Sequence, residues 1–365
     1  MSAVTGANEF FNLLKQQPAG LSPSQALACL DRVDKQRVDA LAQRFSTYIA
    51  TNVPRSINQR KNLADYRINP YVIITAAQAL GLGDPNTFAR FLVHSKVYAG
   101  LETSFGKCIE KEGFVEYPIG GYSSWQDPAE KIEELNDLRG LAREEKARRR
   151  TASVWREIDK ACVFGDRRYL VMIKSGPNTI NDTQVEAMKS AIVQHHVTWL
   201  RTSQRSHPNI AGIDIVIGLT YGTPRTTNNK ENQLLVKLLE HGFVEEDRVQ
   251  RPGVLVDSAT RQVRVYRVVG QSFWSFIGNP ADPGSAPAIF LEILLGLTKA
   301  LSPNGARATI VDSLQTRIRE LSDAMGKMAD SLSHESLPDW FTQEFSTDQR
   351  EWMCAAMTAF FDEGV

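Results

Sequence analysis

The chain has 365 residues, 42% hydrophobic and 8% aromatic, and its 42 basic side chains are balanced by 42 acidic ones. Such a composition is globular and can bury one large core or two modest ones. Zero net charge argues against a general nucleic-acid coat protein, so any affinity for phosphates must come from local patches. No apolar run is long enough to cross a membrane, and MSAVTGANEFF lacks the basic and apolar regions of a signal peptide, so a soluble cytoplasmic protein is expected. Cys29, Cys108, Cys162 and Cys354 show no CxxC or Cys/His metal pattern and are expected as reduced thiols.

In chain order, residues 1 to about 112 read as helical. Ser22 to Thr47 carries Ala26, Leu27, Leu30, Val33, Val38, Leu41 and Ala42 at a period near 3.6 residues. Asn69-Pro70 starts another helix running to about Leu80, and Thr103 to Glu112 looks like the end of a further one. Gly113 to Trp125 is rich in Gly, Tyr and Ser and is expected as a loop, whereas Pro128 to Arg150 is charge-dense and helical. Its end places Arg148, Arg149 and Arg150 either as a solvated helix terminus that suits the dipole or as phosphate contacts.

The stretch from Trp155 to Glu186, WREIDKACVFGDRRYLVMIKSGPNTINDTQVE, is the most informative. Val154 to Val163 predicts a strand, Gly165-Asp166 a two-residue turn, and Arg168 to Ile173 a second strand. Asp166, at the hairpin tip and eight residues from Lys174, reads as a turn former. A two-residue turn opposes Val163 to Arg168, Asp159 to Met172 and Glu157 to Lys174, which brings Glu157, Asp159 and Lys174 to one face. Phosphodiester hydrolysis needs that set, because carboxylates hold a hard divalent cation and a lysine orients or deprotonates the attacking water.

Downstream, Asn181 with Gln184 predicts a helix N-terminus, and Val185, Met188 and Ile192 supply an apolar stripe to the helix Thr183 to Arg201. Asp182 reads as a helix-terminus residue and the His195-His196 pair as ordinary helix residues. The strand Gly212 to Tyr221 contains Asp214, either an acid supporting the site from behind or a polar residue on a central strand. In the loop GTPRTTNNKENQ, Arg225, Asn228, Asn229, Lys230 and Asn232 are candidates for base recognition, because Arg bonds guanine and Asn bonds adenine, although surface loops are often polar. Val254 to Asp257 and Val263 to Val269 form a hairpin, Phe273, Trp274 and Phe276 read as core rather than as a base-stacking platform, and Asn279 to Pro287 is a break. Ala288 to Val365 is helical, an appended subdomain or a dimer surface. No repeat and no Walker-type or dinucleotide-type glycine loop is present.

Asp159, Met172 and Lys174 resemble the PD-(D/E)XK superfamily of nucleases, in which an acid on one strand is followed by acid-x-Lys on the next. The departure is Met172, thirteen positions after Asp159, because a thioether does not hold magnesium. Some restriction endonucleases of this superfamily, including the group that cuts CCGG-containing sites, carry the missing acid on the helix after the lysine strand. Here that position is filled by Glu186, twelve residues beyond Lys174. The superfamily also often has a Glu on the helix before the hairpin, which points to Glu110 in TSFGKCIE, with a solvated helix glutamate as the alternative; Glu157 is a further reserve.

The string IKSGPNTIND is similar to type II restriction endonucleases of the TdeIII-like and related groups, whose targets are short palindromes interrupted by an unspecified base. NPYVIITAAQALG, LETSFGKCIEKEG and GQSFWSFIGNP fit the same resemblance, which spans roughly residues 65 to 280. It implies a mixed α/β restriction-endonuclease-like core at about 101–285, its central mixed sheet flanked by helices, with helical regions at 1–100 and 286–365, or all three as one compact domain. It further implies Mg2+ held by Asp159 and Glu186, Lys174 at the water, and Ser175 and Asn178 on double-stranded DNA beside Arg225, Asn228, Asn229 and Lys230. A homodimer reading a palindrome and a DNA methyltransferase as genetic partner follow. The alternatives are a structure-specific repair or recombination nuclease of the same superfamily and a noncatalytic DNA-binding protein whose site has decayed at Met172.

Overall fold

The apolar runs from Lys160 onward build one six-stranded mixed sheet in the order β1-β2-β3-β6-β5-β4. The computed structural model describes all residues except 1–2, 61–62, 67–68, 122, 177–178, 303–305, 333–336 and 362–365; the side chains of 3–5, 63–64, 99, 102–103, 328–332 and 358–361 are likewise not described. The strands are β1 (Lys160–Phe164), β2 (Arg167–Lys174), β3 (Gly212–Leu219), β4 (Phe243–Asp247), β5 (Arg251–Asp257) and β6 (Val263–Val269). The helices before the sheet are α1 (Ala3–Gln16), α2 (Pro23–Leu27), α3 (Lys35–Asn58), α4 (Pro70–Ala79), α5 (Pro85–Glu112), α6 (Ala129–Asn136) and α7 (Arg143–Ala152). Within and after it come α8 (Asp182–Ser206), α9 (Lys230–Leu238), α10 (Gln271–Gly278), α11 (Ile289–Ala300), α12 (Arg307–Leu332), α13 (Asp339–Glu344) and α14 (Thr347–Phe361).

The chain divides into two compact units, residues 1–42 with 109–296 and residues 43–108 with 297–365. The first holds the whole sheet. Leu170, Met172, Ile213, Ile215 and Ile217 face Val185, Met188 and Ile192 of α8 and Leu234 and Leu235 of α9 in one buried cluster. On the other face Tyr169 and Tyr266 lie edge-on to Phe276 of α10, with ring centres 5.6 and 6.2 Å apart. A Cβ on Gly218 would come within 2.3 Å of the Phe273 ring, so glycine lets α10 close onto β3. The result is a mixed sheet between two helical layers. In the second unit Ile73, Phe88, Leu92, Leu321 and Trp352 form the core, with the Phe88 and Trp352 rings 4.3 Å apart.

The hairpin register agrees with the two-residue turn: Lys160 opposes Val171 and Val163 opposes Arg168, with Gly165 at φ 62°. β2 and β3 run parallel with Lys174 opposite Leu219, joined through α8, whose N-terminus carries the expected capping box of Asn181 and Gln184. Asn69 likewise caps α4, its side chain accepting the Tyr71 N–H at 3.0 Å. Phe273, Trp274 and Phe276 are buried as expected.

Three expectations need correction. The first strand begins at Lys160 rather than Val154, because Val154 to Glu157 is a turn, and Glu157 therefore has no ladder position opposite Lys174. Trp155 is buried beside Trp199, whose Nε1–H donates to the Val154 carbonyl at 3.1 Å, and this packing curls the segment away from β2. The helix expected over Pro128 to Arg150 is two helices, α6 and α7, separated by Gly140 at φ 83°. α9 begins inside the GTPRTTNNKENQ stretch expected as a loop, and β4 occupies a stretch for which no element was expected. Among the described residues no helix is long and apolar enough to cross a membrane.

Candidate active site

Gln126 exchanges two backbone hydrogen bonds with Ala161, at 3.0 and 2.7 Å, and so covers the outer edge of β1 just before α6 begins. The second and third residues of α6 then reach under the hairpin. Glu130 accepts two bonds from Arg168, both at 2.9 Å, and Arg168 Nη1 also donates to Ser203 Oγ at 3.0 Å. Arg168 is only 4% exposed, and its guanidinium lies 5.4 Å from the centre of the Trp155 ring. The adjacent Lys131 donates to the Ile158 carbonyl at 2.6 Å and the Arg156 carbonyl at 3.3 Å, and its Nζ stands 3.7 Å from Asp159 Oδ1.

Asp159 continues the ladder one residue past β1. Its N–H donates to the Val171 carbonyl at 2.8 Å, and its Oδ2 accepts the Ile173 N–H at 2.7 Å, so the carboxylate is folded back onto β2 near Lys174. Burial pushes its pKa up to about 6 from 3.8, against the pull of the Lys174 charge, the Ile173 N–H and Lys131, while the negative charge of Glu110 adds to the rise. At one end of the sheet Asp159 thus has Lys131 3.7 Å away, lies in the field of Lys174, and feels the charge of Glu110 more weakly. Lys131 was missed in the sequence. Nothing local in AEKIEELN distinguishes it from a solvated helix lysine, and its partners lie 25 and more residues onward.

The remaining candidates fall elsewhere. Met172 is fully buried among the core residues that include Ile180, Val185 and Met188. Glu186 is half-exposed and pairs with Lys189 and with Lys237 of α9, which hold its carboxyl down to about 2. Glu157 faces Arg156 Nε at 3.4 Å. Asp214, toward the start of β3, pairs with Arg167 and accepts from Tyr266 Oη at 3.1 Å, a structural network inside the sheet. Among the described residues no group of three or more His, Cys, Asp or Glu side chains is placed to hold a metal ion.

For DNA contact, Ser175 presents its carbonyl to the Thr220 hydroxyl at 2.8 Å, and Gly176 fits because a Cβ there would meet the Tyr221 ring at 2.1 Å. Asn178 lies outside the described residues. In the loop before α9, Arg225 is exposed. Asn228 instead donates to the Ile180 carbonyl at 2.7 Å and accepts the Lys230 N–H at 3.2 Å. Asn229 sits at φ 60° as the N-cap of α9 and accepts from Asn232, while Lys230 pairs with Asp182. Asn228 and Lys230 fasten the loop to the start of α8. Arg148 and Arg149 are paired with Glu145 on the surface of α7.

No curated protein matches the chain. Residues 143–299 match a family model described as Type II restriction endonuclease EcoO109I. The matched stretch takes in Asp159, Lys174 and every strand of the sheet and leaves Glu110 and Lys131 outside. The narrower TdeIII-like affiliation gains no support from it. Over those residues the chain is similar to type II restriction endonucleases of the EcoO109I family, DNA-cleaving nucleases of a kind that usually work with a divalent metal.

Proposed function

We propose that the protein is a type II restriction endonuclease that hydrolyses duplex DNA at a short palindromic sequence with Mg2+, acting in the cytoplasm as a homodimer whose host sites are protected by a DNA methyltransferase. The observation that supports this reading is the Asp159 carboxylate folded onto β2 in the field of Lys174, with both residues inside the matched stretch. The donor set fits magnesium, which keeps several waters and takes one or two carboxylates together with substrate phosphate. Asp159 and Glu110 would hold the ion. When bound it neutralises developing phosphate charge and makes a water more acidic. Lys174 orients the attacking water and the scissile phosphate. Glu186 would supply the displaced acid only by leaving Lys189 and Lys237. Arg225 is the exposed side chain of its loop suited to bidentate guanine contact.

Incubation of the protein with long phage DNA and Mg2+ should yield discrete bands. Lys174→Ala should bind DNA without cutting it, and Glu110→Gln should lose most activity while Glu186→Gln retains it. The opposite order for the two glutamates would move the second carboxylate to α8. Cutting of branched DNA alone would favour a structure-specific nuclease, and normal cutting by Lys174→Ala would refute the site.

A further inference from the structure

At the end of the β1–β2 hairpin the Asp159 carboxylate has Lys131 Nζ 3.7 Å away and lies in the field of Lys174, so its charge is already opposed by cations. Among the described residues no group of three or more His, Cys, Asp or Glu side chains is placed to hold a metal ion. Lys131 is a fixed part of this arrangement. Two of its N–H bonds go to the Ile158 and Arg156 carbonyls, its side chain is 21% exposed, and its helix is tied through Glu130 to buried Arg168. Its positive charge stands 3.7 Å from Asp159 Oδ1. A dication approaching that oxygen meets an ammonium a few ångströms away in a half-solvated site.

We propose that Lys131 is a resident counter-cation for Asp159 that keeps divalent ions from binding tightly to the DNA-free protein, so that ion and DNA bind together. This rests on the nuclease reading above. The scissile phosphate brings the negative charge and the oxygen ligands that the protein lacks, and the coupling is reciprocal: DNA tightens the ion by the factor by which the ion tightens DNA. Lys131 is thus a positioning residue, acting through Asp159.

The test is calorimetric titration of Ca2+, which takes the same oxygen donors, into the parent protein and into Lys131→Gln, which keeps N–H donors without the charge. Lys131→Gln should bind Ca2+ at least about tenfold more tightly than the parent, as removal of a unit charge beside a dication implies. Asp159→Asn added to Lys131→Gln should abolish the gain, and a phage DNA fragment should tighten Ca2+ binding to the parent. Equal or weaker Ca2+ binding by Lys131→Gln, or a gain that survives Asp159→Asn, overturns the proposal. Should Lys131→Gln unfold by circular dichroism, Lys131→Met must show the tighter binding and Lys131→Arg the parent's. A parent that cuts no DNA would remove the nuclease reading, while the Ca2+ comparison would still decide the role of Lys131.

Discussion

Asp159→Asn should make the metal-free protein more stable while abolishing cleavage. Burial lifts the Asp159 pKa from 3.8 to about 6, so the native state binds that proton more tightly than the unfolded chain does. The contribution of this group to stability is fully present below about pH 4 and is lost as pH rises through 6. At pH 8 the folded protein carries a buried charge whose cost, at 1.36 kcal/mol per pH unit, is about 3 kcal/mol. Asparagine is neutral throughout, and its Oδ1 still accepts the Ile173 N–H that now reaches Asp159 Oδ2. Urea unfolding in EDTA, followed by tryptophan fluorescence, should show a gain of about 2 to 3 kcal/mol at pH 8, falling below about 1 kcal/mol at pH 4. A variant no more stable than the parent at pH 8, or a gain unchanged at pH 4, would refute the argument.

Two further substitutions probe the supports of the site. Glu130→Ala leaves the guanidinium of Arg168, 4% exposed, without its bidentate partner and should cost about 3 kcal/mol in urea unfolding, with a loss under about 1 kcal/mol contradicting it. Burial raises the Glu130 pKa, but the Arg168 hydrogen bonds outweigh it and hold it below 4.5, so this pair's contribution is present above about pH 4.5 and fades as the medium is acidified. Arg225→Ala should weaken binding at the cognate site by about 1 to 3 kcal/mol and little on random DNA in a filter-binding comparison. Equal weakening on both would show a phosphate contact instead of base readout.

What the sequence disclosed was local. Gly165-Asp166 set the hairpin register, Asn181 with Gln184 set the start of α8, and Asn69-Pro70 set that of α4, because turn and cap chemistry acts within a few residues. What stayed hidden depended on distant partners. Val154 to Glu157 is strand-compatible in isolation, yet Trp155 and the Trp199 bond to Val154 impose a turn. The pairing of Glu130 with Arg168 spans 38 residues and has no periodic signature. Asn228 and Asn229 illustrate a different limit, since an amide suited to reading adenine is equally suited to bonding a backbone carbonyl, as Asn228 does, or a neighbouring amide, as Asn229 does. β4, FVEED, alternates too few apolar residues to declare itself, as befits an edge strand.

Met172 connects the core to the chemistry. Its side chain is fully buried in the cluster that holds Ile180, Val185 and Met188. A glutamate at 172 would restore the usual acid-x-Lys order but would place a carboxylate among apolar groups, where an unpaired charge is costly. The thioether keeps α8 packed on β2 and removes one metal ligand from the place where the superfamily resemblance expects it. With Glu186 engaged by two lysines, Asp159 remains with Lys131 3.7 Å away and in the field of Lys174. A site with that balance has no excess negative charge with which to concentrate cations by itself, and the groups able to supply it are the phosphates of the DNA it would cut.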